Sequence, residues 1–330
     1  MSDSELEEKI QQAKNVEENA DFFSASFFYK DALLIARNIG NSEKIKWLKK
    51  KVVEMNQKSQ GQMKEVSVEH PISPEHIEQI NKFITFILEQ DFVSQLKIIG
   101  SHPNFYPHYE HLEKSSPPLY TQLASNSVFS EQGHLVKGGS DGVYSWLMKM
   151  YEISQNVSNQ FYLLRILKQM IDNGSLNTQS LNQYLRDRKL FTDNQMKLLE
   201  VGTERFFAKD YISALHILVP QFENAFLIIS EKLGIDIISL NQTKEISTQT
   251  KTLSTTQLES EEFQKIWGKD LCLQIKFIMF EPLGYKLRHL VAHGEISAEA
   301  CNFTTVSMIL YLFLALAARV HNSKAAENIR

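Results

Sequence analysis

The chain has little of what most directly announces chemistry. Its two cysteines, Cys272 and Cys301, are too few for a disulfide framework. Both lie in apolar runs without metal-like spacing and read as buried thiols in a reducing compartment. Glycine and proline are sparse, 13 and 8 in 330 residues. No glycine-rich phosphate loop of either nucleotide-binding type occurs, which leaves P-loop and dinucleotide enzymes without support, and no cofactor is called for. Alternating strand patterns long enough for a sheet-based fold are absent. Positive charge is not in excess, with 35 Lys and Arg against 39 Asp and Glu and a net charge of -4. There is thus no bulk attraction to nucleic acid, and any RNA contact requires a local patch. The N-terminus is acidic and lacks an apolar signal segment, so a cytoplasmic location is expected. Phe303–Val320 comes nearest to a membrane span, but Thr304, Thr305 and Ser307 occupy its first turns, and a buried core helix with no membrane contact is expected instead.

What is there is helical periodicity. Hydrophobic residues make up 43% of the chain, enough for ordinary cores, and the length suggests more than one domain. The fold class expected is all-α. Residues 1–60 read as three helices with short joints, and the small and aromatic residues from Ala20 to Ala36 resemble a tetratricopeptide-type hairpin. One such unit cannot build a solenoid, so it offers a docking or dimerising surface to a protein partner. Lys44, Lys46, Lys49, Lys50 and Lys51 line the third helix and read as a solvated face rather than an RNA patch.

Residues 61–190 are expected to form a second helical domain, entered through a polar linker at 57–70. Ser73 and Pro74 start a helix whose buried stripe is Ile77, Ile80, Phe83, Ile84 and Ile87. Between 101 and 141 the sequence turns irregular, with a small hairpin expected from 120–127 and 133–137. His102, His108 and His111 cluster here, but no further group at diagnostic spacing supports a metal site. Thr192 and Gln195 have capping-box spacing and mark the start of the third domain, 191–330. Its long helix over 210–233 should kink at Pro220. The Ser, Thr and Gln-rich stretch 239–262 reads as a flexible insert.

The densest chemistry lies in Gly284-Tyr285-Lys286-Leu287-Arg288-His289-Leu290-Val291-Ala292-His293-Gly294. On one helix Tyr285, His289 and His293 form a row four residues apart, with Arg288 beside it. Arg288 and His293 diverge by roughly 140°, but a guanidinium on its long stem can curl back toward the ring. Gly294 then ends the helix. The same pattern also fits a structural helix whose arginine and histidines only cap, pair or stack.

Four features together, the helix carrying Pro220-Gln221-Phe222-Glu223, the polar insert, Arg288-His289-Leu290-Val291-Ala292-His293-Gly294 and an apolar last helix, resemble the HEPN superfamily. They are most similar to its branch with an arginine, usually an asparagine, three residues and His-Gly; here His289 stands in the asparagine position, where the superfamily tolerates a small polar set. The resemblance covers about residues 195–322. It implies an up-down helical bundle and a metal-independent endoribonuclease of toxin-antitoxin or antiviral defence settings, acting as a homodimer with the motifs facing one another. In that reading His293 moves the proton of the RNA 2′-hydroxyl, Arg288 neutralises the phosphate and His289 is a second proton handler. Glu223 holds the arginine, Tyr285 supports the site, and Lys244 and Lys251 reach substrate phosphates. The alternative is a non-catalytic module that binds protein, RNA or a nucleotide. The apolar excess of Phe303–Val320, more than one helix face needs, also argues for a dimer.

Overall fold

The computed structural model describes residues 2–62, 72–114, 117, 126–129, 135–139, 142–242 and 246–321. It is all-α apart from two antiparallel two-stranded ribbons. The chain divides into two compact units, Met1–Pro71 with Pro118–Ser145, and Ile72–Pro117 with Trp146–Arg330.

In the first unit α1 (Asp3–Glu18), α2 (Phe22–Ile39) and α3 (Ser42–Gln60) are the three expected helices. Side chains of Ser2, Asp21 and Asn41 cap their N-termini, and Gly40 in the left-handed region ends α2. Leu6, Ile10, Ala25, Tyr29, Ala32, Leu48 and Met55 are among its buried core residues. The lysine row of α3 is partly paired, Lys44 with Glu7 and Lys51 with Glu17 at 2.8 Å each. The ribbon β1 (Asn126–Phe129) and β2 (Leu135–Gly139) is the expected hairpin with its first strand set further along. Residues 120–125 and 133–134 of that expectation lie outside the described residues.

Glu17 ties this unit together by accepting hydrogen bonds from the Tyr29 hydroxyl and the Lys51 ammonium at 2.6 and 2.8 Å. Burial pushes its carboxyl up, but those two hydrogen bonds together with the Lys51 charge outweigh it and hold the group below the usual range. A depressed carboxylate contributes stability above its unfolded pKa and loses it as pH falls through its folded pKa. Glu17→Gln is therefore expected to lower the urea midpoint at pH 7 and to lower it by less near pH 3. Equal gaps at both pH values would refute the role of the carboxylate.

The second unit is built on α4 (Pro74–Leu88), α5 (Phe92–Ser101), α6 (Tyr109–Glu113), α7 (Gly142–Ser158, of which the part from Trp146 belongs here), α8 (Leu164–Asp172), α9 (Thr178–Asp187), α10 (Asp193–Phe207) and α11 (Tyr211–Lys232). After ribbon β3 (Ile238–Gln242) and β4 (Ile246–Thr250) follow α12 (Thr255–Glu259), α13 (Glu261–Trp267), α14 (Lys269–Met279), α15 (Leu287–Ala292) and α16 (Phe303–His321). Ser73 caps α4 with Pro74 in its first turn, as expected. Ile84 and Ile87 of the expected stripe are buried and Ile80 and Phe83 half-buried, but Ile77 in the first turn is exposed. A π-helical turn, Asn159–Leu163, links α7 to α8. The capping box of Thr192 and Gln195 is formed, yet the apolar residues on both sides of it, Leu185, Leu190, Met196 and Leu199, belong to one core. A cap fixes where a helix begins, not where a domain does, and no division of the chain falls at 190.

The helices α10 and α11 form a close antiparallel hairpin. A Cβ on Gly202 would lie 2.6 Å from the Leu218 side chain, so glycine is what lets them approach. The long helix α11 runs through Pro220 as one element. α16 is buried on nearly every side, with Val306, Ile309, Leu312, Ala315 and Leu316 at 0% exposure. Among the described residues two helices, Tyr211–Lys232 and Phe303–Val320, are long and apolar enough to cross a membrane by length and composition, and 83% of the second is buried inside the chain. The apolar excess of α16 is thus covered by its own unit through α5 and α11 and supplies no argument for a dimer.

Leaving aside 243–245, which lie outside the described residues, the stretch 239–262 is not irregular. It holds the β3–β4 ribbon in the register Ile238↔Thr250 to Gln242↔Ile246 and the short helix α12, whose capping box joins Ser254 to Gln257. Leu253 and Leu258 bury themselves at 2% and 1% exposure, so isolated leucines in a polar sequence suffice where a neighbouring core is ready to take them. Both cysteines are buried thiols. Burial pushes Cys272 up to about 12 and raises Cys301 as well, which leaves both poor nucleophiles.

Candidate functional site

The motif helix α15 is only six residues long, and the segment before it explains why. A Cβ on Gly284 would come within 2.2 Å of the Phe277 carbonyl oxygen, and Tyr285 N–H donates to that same oxygen at 3.1 Å. The chain is therefore held against α14, and Lys286 turns it into the helix in the left-handed region at φ 50°. At the other end Glu295 N–H donates to the Leu290 carbonyl at 2.8 Å and Gly294 N–H to that of Val291 at 3.3 Å, with Gly294 at φ 65°. This is a Schellman closure with glycine where it was expected.

This geometry breaks the expected row. Tyr285 precedes the helix instead of lying one turn back on it, because Lys286 breaks the helical path. Its ring packs edge-on against Phe277 with centroids 5.8 Å apart, and its hydroxyl donates to Asn156 at 2.7 Å. Burial, with Glu152 nearby, pushes the phenol up to about 12. His289 and His293 do stay together, with ring centroids 4.3 Å apart.

Arg288 donates from Nε to Glu223 Oε2 on α11 at 3.1 Å. The other carboxylate oxygen, Glu223 Oε1, accepts the Leu253 N–H at 3.2 Å. One carboxylate thus joins α15, α11 and the segment leaving β4, and Glu223 is only 15% exposed at its side chain. The guanidinium is drawn to Glu223 and does not curl back to His293. Among the described residues its two terminal nitrogens make no hydrogen bond. His289 Nε2 lies 3.4 Å from Glu295 Oε2. Burial holds His289 below the ordinary imidazole pKa, aided by the charges of Lys286, His293 and Arg288 and opposed by Glu295, so its neutral form gains at neutral pH. His293, at the helix C-cap, is exposed.

The remaining candidates are elsewhere. Lys251 is engaged with the Asp236 carboxylate and carbonyl at 3.0 and 2.9 Å, and Lys244 lies outside the described residues. His102 packs on Phe83 with ring centroids 4.5 Å apart, while His108 Nδ1 meets Asp270 at 3.2 Å. Asp270 also accepts Tyr109 N–H at 3.1 Å, so this histidine secures a proline-bent segment against α14. Among the described residues no three His, Cys, Asp or Glu side chains converge as metal ligands would. Sequence reasoning missed Asn156 and the Leu253 amide. A backbone donor has no sequence signal, and nothing near Asn156 distinguishes it from other surface amides. Glu295 was legible only as a flanking acid, and the closure at Gly294 is what returns it to His289.

A cleft of about 730 Å³ also opens in this unit, among Lys168, Phe207, Lys209, Tyr211, Phe303 and Tyr285. It touches the motif segment at Tyr285 but is not lined by Arg288, His289 or His293. No family model, no curated protein and no solved structure matches this chain.

Proposed function

We propose that the chain is a metal-independent endoribonuclease of the HEPN type acting in the cytoplasm. The observation that carries the reading is Arg288, fixed through Nε by Glu223 with its terminal nitrogens uncommitted, on the same short helix as the His289 and His293 pair. A guanidinium held at one edge keeps a planar fork for two phosphate oxygens. In the reaction the RNA 2′-oxygen attacks the adjacent phosphorus and the bond from phosphorus to the 5′-oxygen breaks. An imidazole takes the hydroxyl proton, and a protonated group supplies one to the leaving oxygen. His293, exposed to substrate, is the first proton handler, His289 is the second, and Arg288 neutralises the charge growing on the phosphate. The homodimer with facing motifs belongs to this proposal through the resemblance alone; a monomer in light scattering at micromolar concentration would remove it.

Cleavage is expected to survive excess EDTA and to leave 2′,3′-cyclic phosphate or 3′-phosphate ends with 5′-hydroxyls, while DNA, lacking the 2′-hydroxyl, stays intact. End-labelled RNA and matched DNA decide it, and loss of activity with EDTA or efficient DNA cutting would sink the assignment. A second reading, a non-catalytic binding module, is favoured by one observation: the cleft of about 730 Å³ is not lined by the Arg288 fork or the histidine pair. Intact RNA in the same assay would select it.

A further inference from the structure

The cleft beside Tyr285 has walls whose chemistry specifies a ligand. Phe303 stacks on buried Phe206 at 5.4 Å with 18° between the rings, Tyr211 meets Phe303 at 6.2 Å and Phe207 meets Phe206 at 5.1 Å. Phe207, Tyr211 and Phe303 are only partly buried, so a connected aromatic wall faces the opening, ready to cover a flat ring. Two cations stand at it. Lys168 Nζ lies 5.7 Å from the Phe303 ring centroid. Lys209 is held at φ 63° in the joint between α10 and α11, a left-handed position usually given to glycine.

The charge of the lining decides the anion. Lys168 and Lys209 are opposed by Asp172 and Glu152, but Glu152 is already paired with Lys149 at 2.7 Å. One positive charge is left in excess. The first turn of α16 adds to it, because Asn302, which accepts the Thr305 N–H at 3.1 Å, and Phe303, Thr304 and Thr305 at this helix N-terminus all line the cleft. This balance suits a singly charged anion better than a dianion.

We propose that this cleft binds a small molecule joining an aromatic ring to a single anionic group. The ring lies on the Phe207, Tyr211 and Phe303 wall, and the anion lies between Lys168 and Lys209. The site is separate from the Arg288 fork, so the proposal stands whether or not the chain cuts RNA.

Calorimetry and thermal shift on the full chain, with phenylacetate, phenyl phosphate, acetate and phenol as probes, test it. Phenylacetate is expected to bind saturably and roughly tenfold or more tighter than acetate or phenol, with phenyl phosphate weaker. Lys168→Gln and Lys209→Gly should each weaken phenylacetate roughly tenfold without lowering the unliganded midpoint, since the first is a surface change and the second relieves a left-handed lysine. Arg288→Ala should bind phenylacetate as the wild type does, whatever becomes of RNA cleavage. The proposal is overturned if phenylacetate binds no better than acetate or phenol, if phenyl phosphate binds more tightly, or if neither lysine variant changes its affinity.

Discussion

Replacing Gly100 by alanine is expected to destabilise the second unit by about 3 kcal/mol, among the larger effects of overpacking a close-packed core. Gly100 lies in α5, and a Cβ there would sit 2.3 Å from the Leu314 carbonyl oxygen and 2.7 Å from its carbon. Those are backbone atoms of α16, which is buried on nearly every side, so neither helix yields by a change of rotamer. The gain in helix propensity from glycine to alanine, about 1 kcal/mol, offsets only part of the cost. In thermal denaturation the midpoint should fall by roughly 6–12 °C. Gly61→Ala, whose Cβ would meet nothing closer than 3.5 Å, should stay within about 0.5 kcal/mol of wild type. A Gly100→Ala protein as stable as wild type would mean that α5 and α16 are not packed this closely.

Arg288→Ala and His293→Ala are each expected to reduce RNA cleavage by about 10²–10⁴-fold, the range for removing a charge stabiliser or a proton-transfer group. Stability should change little. His293 is exposed, and loss of Arg288 leaves Glu223 with its Leu253 hydrogen bond, a change of about 1 kcal/mol. His102→Ala, His108→Ala and His111→Ala should leave cleavage intact. If both sets lose activity equally, a metal-binding reading of the histidine cluster gains. If Arg288→Ala unfolds the protein, its pairing with Glu223 is structural and the nuclease proposal loses its centre. Glu223→Gln separates the cases further: it keeps an acceptor for Arg288 Nε and removes the charge, so cleavage should fall by less than in Arg288→Ala.

The helical class was legible because helix signals are local. Ser73 with Pro74, Thr192 with Gln195, and Gly294 each report their own few residues, and each is where it was read. The pairing of Glu223 with Arg288 across 65 positions was legible only through the resemblance, since spacing alone contains nothing of it. Other features depend on the surroundings. Tyr285 left the helical row because Gly284 lets the chain press onto Phe277. The segment around Leu253 and Leu258 is held because a core stood ready for those two leucines. The cleft gathers residues from several helices and had no contiguous signature at all.

The packing of α5 against α16 also sets a timetable for synthesis. Leu96 and Ile99 on α5 are fully buried, but α16, which covers that helix, begins roughly 200 residues further along the chain. At about 5–20 residues per second a ribosome needs roughly 10–40 s to make that interval. Throughout it the apolar face of α5 lacks the helix that finally covers it, and α11, once made, lacks the same partner. The nascent chain is therefore an expected client of holding chaperones until α16 has emerged, and ribosome-bound chains halted before residue 303 should be far more sensitive to protease than the released 330-residue chain.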